Sequence, residues 1–320
     1  MMALGQNGAI PIYPLRPAFK LYETPLIKYH TESTKTMSHS AEIMLALQRL
    51  LPKHRLSRAV AKLAESERPW LKNLLIKAAI RAFDINMQEA ISDNIDDYKN
   101  FNAFFTRELK AGARPLDSDP STVISPADGV VSQAGDIVSN RVLQAKGIDY
   151  SVARLVGDST QAKLYHNGTF ATIYLSPKDY HRVHIPADGQ LLSTRYIPGE
   201  LFSVNQQTAE TLPGLFARNE RLVCEFKSQQ IGHFSVILVG AMLVAGIETV
   251  WGGFEQPGPG SVRETDFSTA DKTYSKGDEI GRFKFGSTVI LLFQSDQVAL
   301  EEDLQPSAAL CMGEKMGLIR

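Results

Sequence analysis

The chain lacks most of what would staple, anchor or address it. Two cysteines occur in 320 residues, Cys224 and Cys311. They have no metal-ligand spacing, so a disulfide framework is excluded, and a reducing compartment with two plain core thiols is expected. Neither sign of charge predominates: the net charge is −1, and nothing global calls for nucleic acid. The first residues show no basic stretch followed by an apolar one, so no secretory signal is read there. Long hydrophobic runs are missing too. The best transmembrane suspect, residues 234–247, is cut by Gly240 and Gly246 and stops at Glu248. It is too short to cross a bilayer, and its Val and Ile content reads as buried strand. No segment is of low complexity.

What is present is unevenly distributed. Residues 1–40 contain Pro11, Pro14, Pro17 and Pro25 with little periodicity. An irregular leader is expected there, with Met37 or Met44 as alternative starts. Residues 41–112 are expected to form a helical, membrane-associating region. Leu56, Ala59, Val60, Leu63 and Ala64 recur at helical spacing, with Arg55, Arg58 and Lys62 on another face. A second helix is predicted from Leu71 to Phe83, after Pro69 and Trp70, and a short amphipathic one over 98–110. Residues 48–83 hold nine Lys or Arg and two Glu. A basic amphipathic end on a neutral chain suits an anionic membrane surface; the other reading is a solvated basic face on helices packed against the body. Residues 113–320 are expected to form a β-rich catalytic domain, with strands over 168–175, 191–197, 221–227, 233–240 and 243–251. The fold class is therefore α+β. The tetrapeptide Pro-Ala-Asp-Gly occurs at 126–129 and again at 186–189, which hints at a weak internal duplication.

The most informative feature is Phe285-Gly286-Ser287-Thr288, which opens the apolar run Val289–Phe293. That run reads as a buried strand, entered through the turn of Lys276–Gly281. A Gly-Ser-Thr step ahead of a strand is commonly a plain turn. It can also react. The glycine carbonyl is open to attack, and a base can free the serine Oγ to attack it. An N→O acyl shift followed by elimination breaks the chain and leaves dehydroalanine, which loses ammonia to become a pyruvoyl ketone. Such a ketone does the electron-sink work that pyridoxal phosphate does elsewhere. Two histidines, His181 and His184, follow an expected strand in the segment Tyr174–Pro186. Three residues apart, they would face opposite ways in extended chain but could converge in a turn. A metal site lacks further ligands at suitable spacing. A relay with Ser287 and an aspartate is the other possibility.

The chain resembles the bacterial, pyruvoyl-dependent phosphatidylserine decarboxylase proenzymes over roughly residues 45–318. The likeness rests on Tyr98–Lys110, Ser125–Gly129, Gln144–Gly147 with Tyr150-Ser151-Val152, Tyr174–Pro186, Pro198–Asn205, Phe216–Arg221, Val239–Met242 and Phe285–Thr288. Phe285 stands where many members have Leu, an apolar exchange expected to leave processing intact. The resemblance implies cleavage between Gly286 and Ser287, giving a β chain 1–286 and an α chain 287–320. It implies that Ser287 becomes the pyruvoyl group and Schiff-base site, and that Asp128, His184 and Ser287 form the processing triad. His181 would assist decarboxylation. Asp188 competes for the acidic role, but only Asp128 follows the Ser-Pro element. The implied body resembles a barrel-sandwich hybrid. The implied activity turns phosphatidylserine into phosphatidylethanolamine and CO₂ in phospholipid biosynthesis. No metal and no cofactor beyond the covalent pyruvate is implied. A peripheral place on the cytoplasmic face of the bacterial inner membrane is expected, as is a homodimer of αβ protomers. Two rivals stand beside this: a pyruvoyl decarboxylase of a soluble amino acid, and an uncleaved carrier-like binding module.

Overall fold

A computed structural model describes Gln48 and residues 53–242, 246–255, 260–284 and 287–320. The leader over 1–40, the start of the helical region and the Phe285-Gly286 step lie outside the described residues. The described part falls within one compact unit.

The helical end starts with α1 (Lys53–Ala64) and α2 (Pro69–Phe83). Pro69 sits in the first turn of α2, where its missing N–H has no intrahelical partner to lose. Asp84 ends the helix in a left-handed conformation, and its N–H donates to the Ile80 carbonyl. Both helices turn apolar side chains outward: Leu56, Leu63, Trp70, Leu74 and Phe83 are exposed. Of the stripe expected on α1, Ala64 alone is buried, while Leu56, Ala59 and Leu63 face solvent. Buried Ile76 and Ala79 of α2 instead pack with Tyr98, Phe101, Phe104 and Phe105 in a small satellite core.

The helix predicted over 98–110 is only α3 (Phe101–Phe105), capped by Asn100, whose side chain accepts from the Ala103 N–H. It ends because the following residues find a better partner. Ile91 N–H donates to Glu108 O and Lys110 N–H to Glu89 O, around an isolated Ala90–Leu109 bridge. The chain therefore leaves α3 extended, and Arg107 lies at the turn.

Eighteen strands follow among the described residues. In chain order they begin with β1 (Thr122–Ile124), β2 (Gly129–Asp136), β3 (Arg141–Ala145), β4 (Ile148–Ser151), β5 (Thr169–Leu175) and β6 (Arg182–His184). Next come β7 (Gly189–Ile197), β8 (Arg221–Ser228), β9 (Gly232–Val239), β10 (Ile247–Thr249), β11 (Gly253–Glu255) and β12 (Arg263–Asp266). The last are β13 (Thr273–Tyr274), β14 (Glu279–Phe283), β15 (Ser287–Phe293), β16 (Val298–Leu300), β17 (Ala309–Leu310) and β18 (Lys315–Ile319). Nine of them make an open antiparallel sheet in the order β12-β7-β8-β9-β15-β5-β2-β17, with β13 also on β7. A four-stranded sheet β11-β10-β14-β6, a three-stranded sheet β1-β18-β16 and the β3-β4 hairpin complete the body. Among the described residues no sheet closes into a barrel.

β15 is central, and every residue of it is buried. That explains why its sequence is continuously apolar instead of alternating: both faces of the sheet are covered. Val289, Leu291 and Phe293 join one core with Ile173, Leu175, Leu222 and Leu238, where Val183, Ile280 and Phe283 of the four-stranded sheet also pack. Ile290 and Leu292 join a second core on the other face.

The repeated tetrapeptide has a structural counterpart. Ile124 N–H donates to Pro186 O at 3.0 Å, and His184 N–H donates to Pro126 O at 2.8 Å. Each copy thus receives a hydrogen bond from the residue two before the proline of the other.

Candidate active site

Ser287 is the first residue of β15, opposite Leu175 of β5. One step beyond the Val130–Tyr174 pair, Gly129 of β2 faces that same Leu175. On the other side Thr288 faces Val239, and Val239 faces Arg221. One step on, Ser287 is therefore level with Gly240, and Gly240 with Glu220; the Gly240 N–H donates to Glu220 O at 2.9 Å. Glu220, Gly240, Ser287, Leu175 and Gly129 form one row across five strand positions. At a strand spacing of ~4.8 Å, the backbones of Glu220 and Gly129 each lie about 10 Å from that of Ser287 across the sheet. Ser287 is fully buried, and among the described residues its Oγ has no hydrogen-bond partner. A hydroxyl left so is unusual, because a buried polar atom without a partner costs free energy.

The histidines follow the end of β5. Asp179 fixes the turn by accepting from the Ser176 N–H at 2.6 Å and the Ser176 hydroxyl at 2.8 Å. His181 is completely buried against the Phe105 ring, with centroids 4.1 Å apart. Its Nδ1 is 2.8 Å from the Asp179 carbonyl. A carbonyl only accepts, so Nδ1 carries the proton and Nε2 presents a lone pair. Nε2 has no partner. Burial drives the imidazole pKa down to about 3, the Asp179 carbonyl opposes this, and the nearby Arg107 charge adds to it. His181 is thus a neutral base with its free nitrogen in a dry place.

His184, on β6, faces elsewhere. Its Nδ1–H donates to Gly277 O at 2.7 Å, and its Nε2 is 3.2 Å from the Tyr180 hydroxyl, which donates. Burial lowers its pKa, partly offset by the Gly277 carbonyl. The two imidazoles, three residues apart, therefore have separate surroundings.

Asp128 is buried at the head of β2. Arg114 grips it through Nε at 2.8 Å and Nη2 at 2.6 Å, and the Met312 N–H adds a third bond at 2.8 Å. Arg114 also holds Glu89 at 2.9 Å. Asp128 and His184 are linked through the backbone bond at Pro126, while the Asp128 carboxylate stays with Arg114. Among the described residues, Ser287 Oγ bonds to neither histidine. Asp188 of the second tetrapeptide is exposed and accepts the Lys276 N–H at 2.7 Å, the work of a turn residue.

Three charged residues of this neighbourhood escape sequence reasoning. Arg114 is indistinguishable from a surface arginine until Glu89 and Asp128 converge on it. Arg107 and Glu220 lie inside motifs quoted for their likeness, with no role attached. Glu220 is 1% exposed, and burial raises its pKa to about 7 against the single opposing bond from the Tyr196 hydroxyl. A Cβ on Gly240 would sit 3.0 Å from both Glu220 Cγ and Oε1. The carboxyl thus fills the space a Gly240 side chain would take, one strand from Ser287.

Comparison with known proteins assigns the chain to a family. A family model described as phosphatidylserine decarboxylase matches residues 101–318, and one described as PSD matches residues 43–84. The phosphatidylserine decarboxylase proenzyme of Azotobacter vinelandii is 51% identical over 279 residues, covering 86% of this chain and 97% of the relative. The proenzyme of Alcanivorax borkumensis is 50% identical over 284 residues, covering 88% and 97%. That of Stutzerimonas stutzeri is 49% identical over 274 residues, covering 84% and 92%. With a family model across two-thirds of its length and relatives matched almost end to end, the chain belongs to the phosphatidylserine decarboxylase family.

Proposed function

We propose that this chain is a self-processing, pyruvoyl-dependent decarboxylase that converts phosphatidylserine to phosphatidylethanolamine and CO₂. The observation that carries the reading is the buried, unpartnered Oγ of Ser287 at the head of a central strand. Ser287 Oγ attacks the Gly286 carbonyl, the peptide bond becomes an ester, and elimination leaves a carboxylate on residue 286. The dehydroalanine left at residue 287 tautomerises to an imine, which water hydrolyses, releasing ammonia and leaving the pyruvoyl group at the new end of the α chain, 287–320. Asp128, His184 and Ser287 are read as the processing triad. The grip of Arg114 holds the Asp128 carboxylate in place; burial lowers the His184 pKa, so its imidazole is neutral and can take a proton.

The surroundings of Ser287 fit such a group, because among the described residues no hydrogen bond of the hydroxyl is lost when it becomes a ketone. The pyruvoyl ketone supplies an electrophile for the substrate amine and an electron sink as CO₂ leaves. The protein supplies the rest. Phe105 and the neutral His181 make a dry, uncharged wall, which favours loss of a carboxylate's charge. His181 Nε2 is the atom placed to accept or pass on a proton during decarboxylation.

The lipid's acyl chains remain in a bilayer, so the protein has to sit on one. Exposed Leu56, Leu63, Trp70, Leu74 and Phe83 beside exposed Arg58, Lys62, Lys77 and Arg81 support an interfacial surface on α1 and α2. Among the described residues no helix is long and apolar enough to cross a membrane. A peripheral place on the cytoplasmic face of the inner membrane, a barrel-sandwich hybrid body and a homodimer of αβ protomers complete the reading.

The denatured mass of the purified protein is the test. Two chains split after Gly286, the smaller blocked by pyruvoyl, are expected, and Ser287→Ala should run as one inactive chain. A cleaved and active Ser287→Ala protein would overturn the reading.

A further inference from the structure

Two arginines among the described residues are more than nine-tenths buried, and they are treated oppositely. Arg221, 3% exposed, gives each nitrogen a carbonyl: Nε to Leu155 at 2.7 Å, Nη1 to Asn219 at 2.9 Å and Nη2 to Arg154 at 2.6 Å. Arg107, 4% exposed, has a single long bond from Nη2 to Lys178 O at 3.3 Å, and its guanidinium lies 5.6 Å from the centre of the Phe104 ring. Its Nε and Nη1 have no partner among the described residues. The carboxylates within electrostatic reach, Asp128 and Glu89, are both held by Arg114. A buried cation with two open nitrogens, three N–H donors in all, calls for an anion that the described residues do not provide.

The open groups lie beside the site. Arg107 binds the turn that carries His181, and the Phe105 ring, two residues earlier, packs at a tilt against the His181 ring. Asn102, on the preceding turn, is also buried with both side-chain atoms unpartnered. Asn102 and Thr106 line a groove of about 460 Å³ that also holds Arg282 and Lys284, the latter three residues before Ser287, together with Glu65, Glu67 and Glu248; Arg107 itself does not line it.

We propose that Arg107, assisted by Asn102, holds the phosphodiester oxyanion of the lipid head group. The inference rests on the decarboxylase reading and deepens it. The head group has two anionic groups, and chemistry separates them. A cation on the departing carboxylate would stabilise the ground state more than the transition state, where that charge moves away, and so would slow the reaction. On the phosphodiester, which keeps its charge throughout, the same cation contributes binding without that penalty.

The test uses full-length protein with Arg107→Gln and Arg107→Lys, assayed on phosphatidylserine in mixed micelles. Losing charge-assisted hydrogen bonds should raise KM about tenfold to a hundredfold for Arg107→Gln while kcat stays within about threefold. Arg107→Lys should recover part of the loss. Glycerophosphoethanolamine, a phosphodiester without a carboxylate, should compete in the wild type and lose potency in Arg107→Gln. An unchanged KM would overturn the proposal. So would loss of inhibition by N-acetylserine, a carboxylate without phosphate, with glycerophosphoethanolamine unaffected. If a variant fails to self-cleave, binding is read on uncleaved Ser287→Ala chains: glycerophosphoethanolamine should raise the melting temperature, and adding Arg107→Lys should reduce that rise. An equal rise sinks the proposal. Wild-type protein inactive on phosphatidylserine would instead sink the decarboxylase reading, and the melting experiment would still decide about Arg107.

Discussion

Asp128 and Asp188 end identical Pro-Ala-Asp tripeptides that lie side by side, yet they live in different electrostatic worlds. The first is buried on Arg114 at the edge of the Ser287 row; the second is an exposed turn residue on the Lys276 backbone. The difference teaches that the tetrapeptide encodes a turn, and that function depends on what arrives from elsewhere. Glu89, Arg114 and Met312 converge on the first copy. The second copy receives a backbone amide.

Exchanging the aspartates should break the comparison most sharply. Asp128→Asn is expected to slow self-cleavage at least about a hundredfold, the scale of a lost acid–base group, as followed by the fraction of intact chain over time. Asp188→Asn keeps an acceptor for Lys276 and should cleave normally, with stability within about 0.5 kcal/mol of wild type. Equal behaviour of the two variants would dismiss the assignment of Asp128.

The glycines that close the two copies sharpen it next. A Cβ on Gly129, where φ is +157°, would lie 2.3 Å from the Tyr174 carbonyl oxygen, which is backbone and cannot yield. On Gly189 it would meet the Phe234 ring at 3.0 Å, and a ring can tilt. Strain and overpacking together should cost Gly129→Ala about 4 kcal/mol, against about 1 kcal/mol for Gly189→Ala, in denaturant melts of uncleaved chains.

The smallest effect concerns Glu220, the carboxyl on the opposite flank of Ser287. Its folded pKa, about 7, lies above the ordinary 4.5, so the folded state binds the extra proton between those values. Stability is then complete below pH 4.5 and falls as pH rises toward 7. Glu220→Gln removes that fall. It should be more stable than wild type by roughly 3 kcal/mol at pH 8, and the gap should shrink to about 1 kcal/mol at pH 5 and close below pH 4.5. A gap that does not change with pH would show that Glu220 is not held protonated.

Much of the strand framework was legible from residues alone. Predicted 168–175 became Thr169–Leu175 and predicted 233–240 became Gly232–Val239, because buried strands in a sheet covered on both faces need unbroken apolar runs. The helix over 98–110 came out shorter, because residues 89–91 compete for the backbone after Thr106. The sign of the α1 stripe was not legible either: periodicity reveals an apolar face without saying whether protein covers it. At the site, Asp128, His181, His184 and Ser287 could be singled out, but not their tautomers or partners. The proton on Nδ1 of each histidine is set by the carbonyls of Asp179 and Gly277. Arg107 and Arg221 look alike in sequence, and only the fold satisfies one and leaves the other open.

The central place of β15 carries one last consequence. A cut ahead of Ser287 would leave the short chain as an inner rung of the nine-stranded sheet, laced to β5 on one side and β9 on the other, with β17 at the sheet's edge and β16 and β18 in a second layer. Scission there would be mechanically silent. The two fragments could not drift apart without tearing the core, so the mature molecule would keep its shape. Its unfolding, however, would now release two particles instead of one. The melting temperature of the processed form should therefore rise with protein concentration, whereas that of the uncut chain should not.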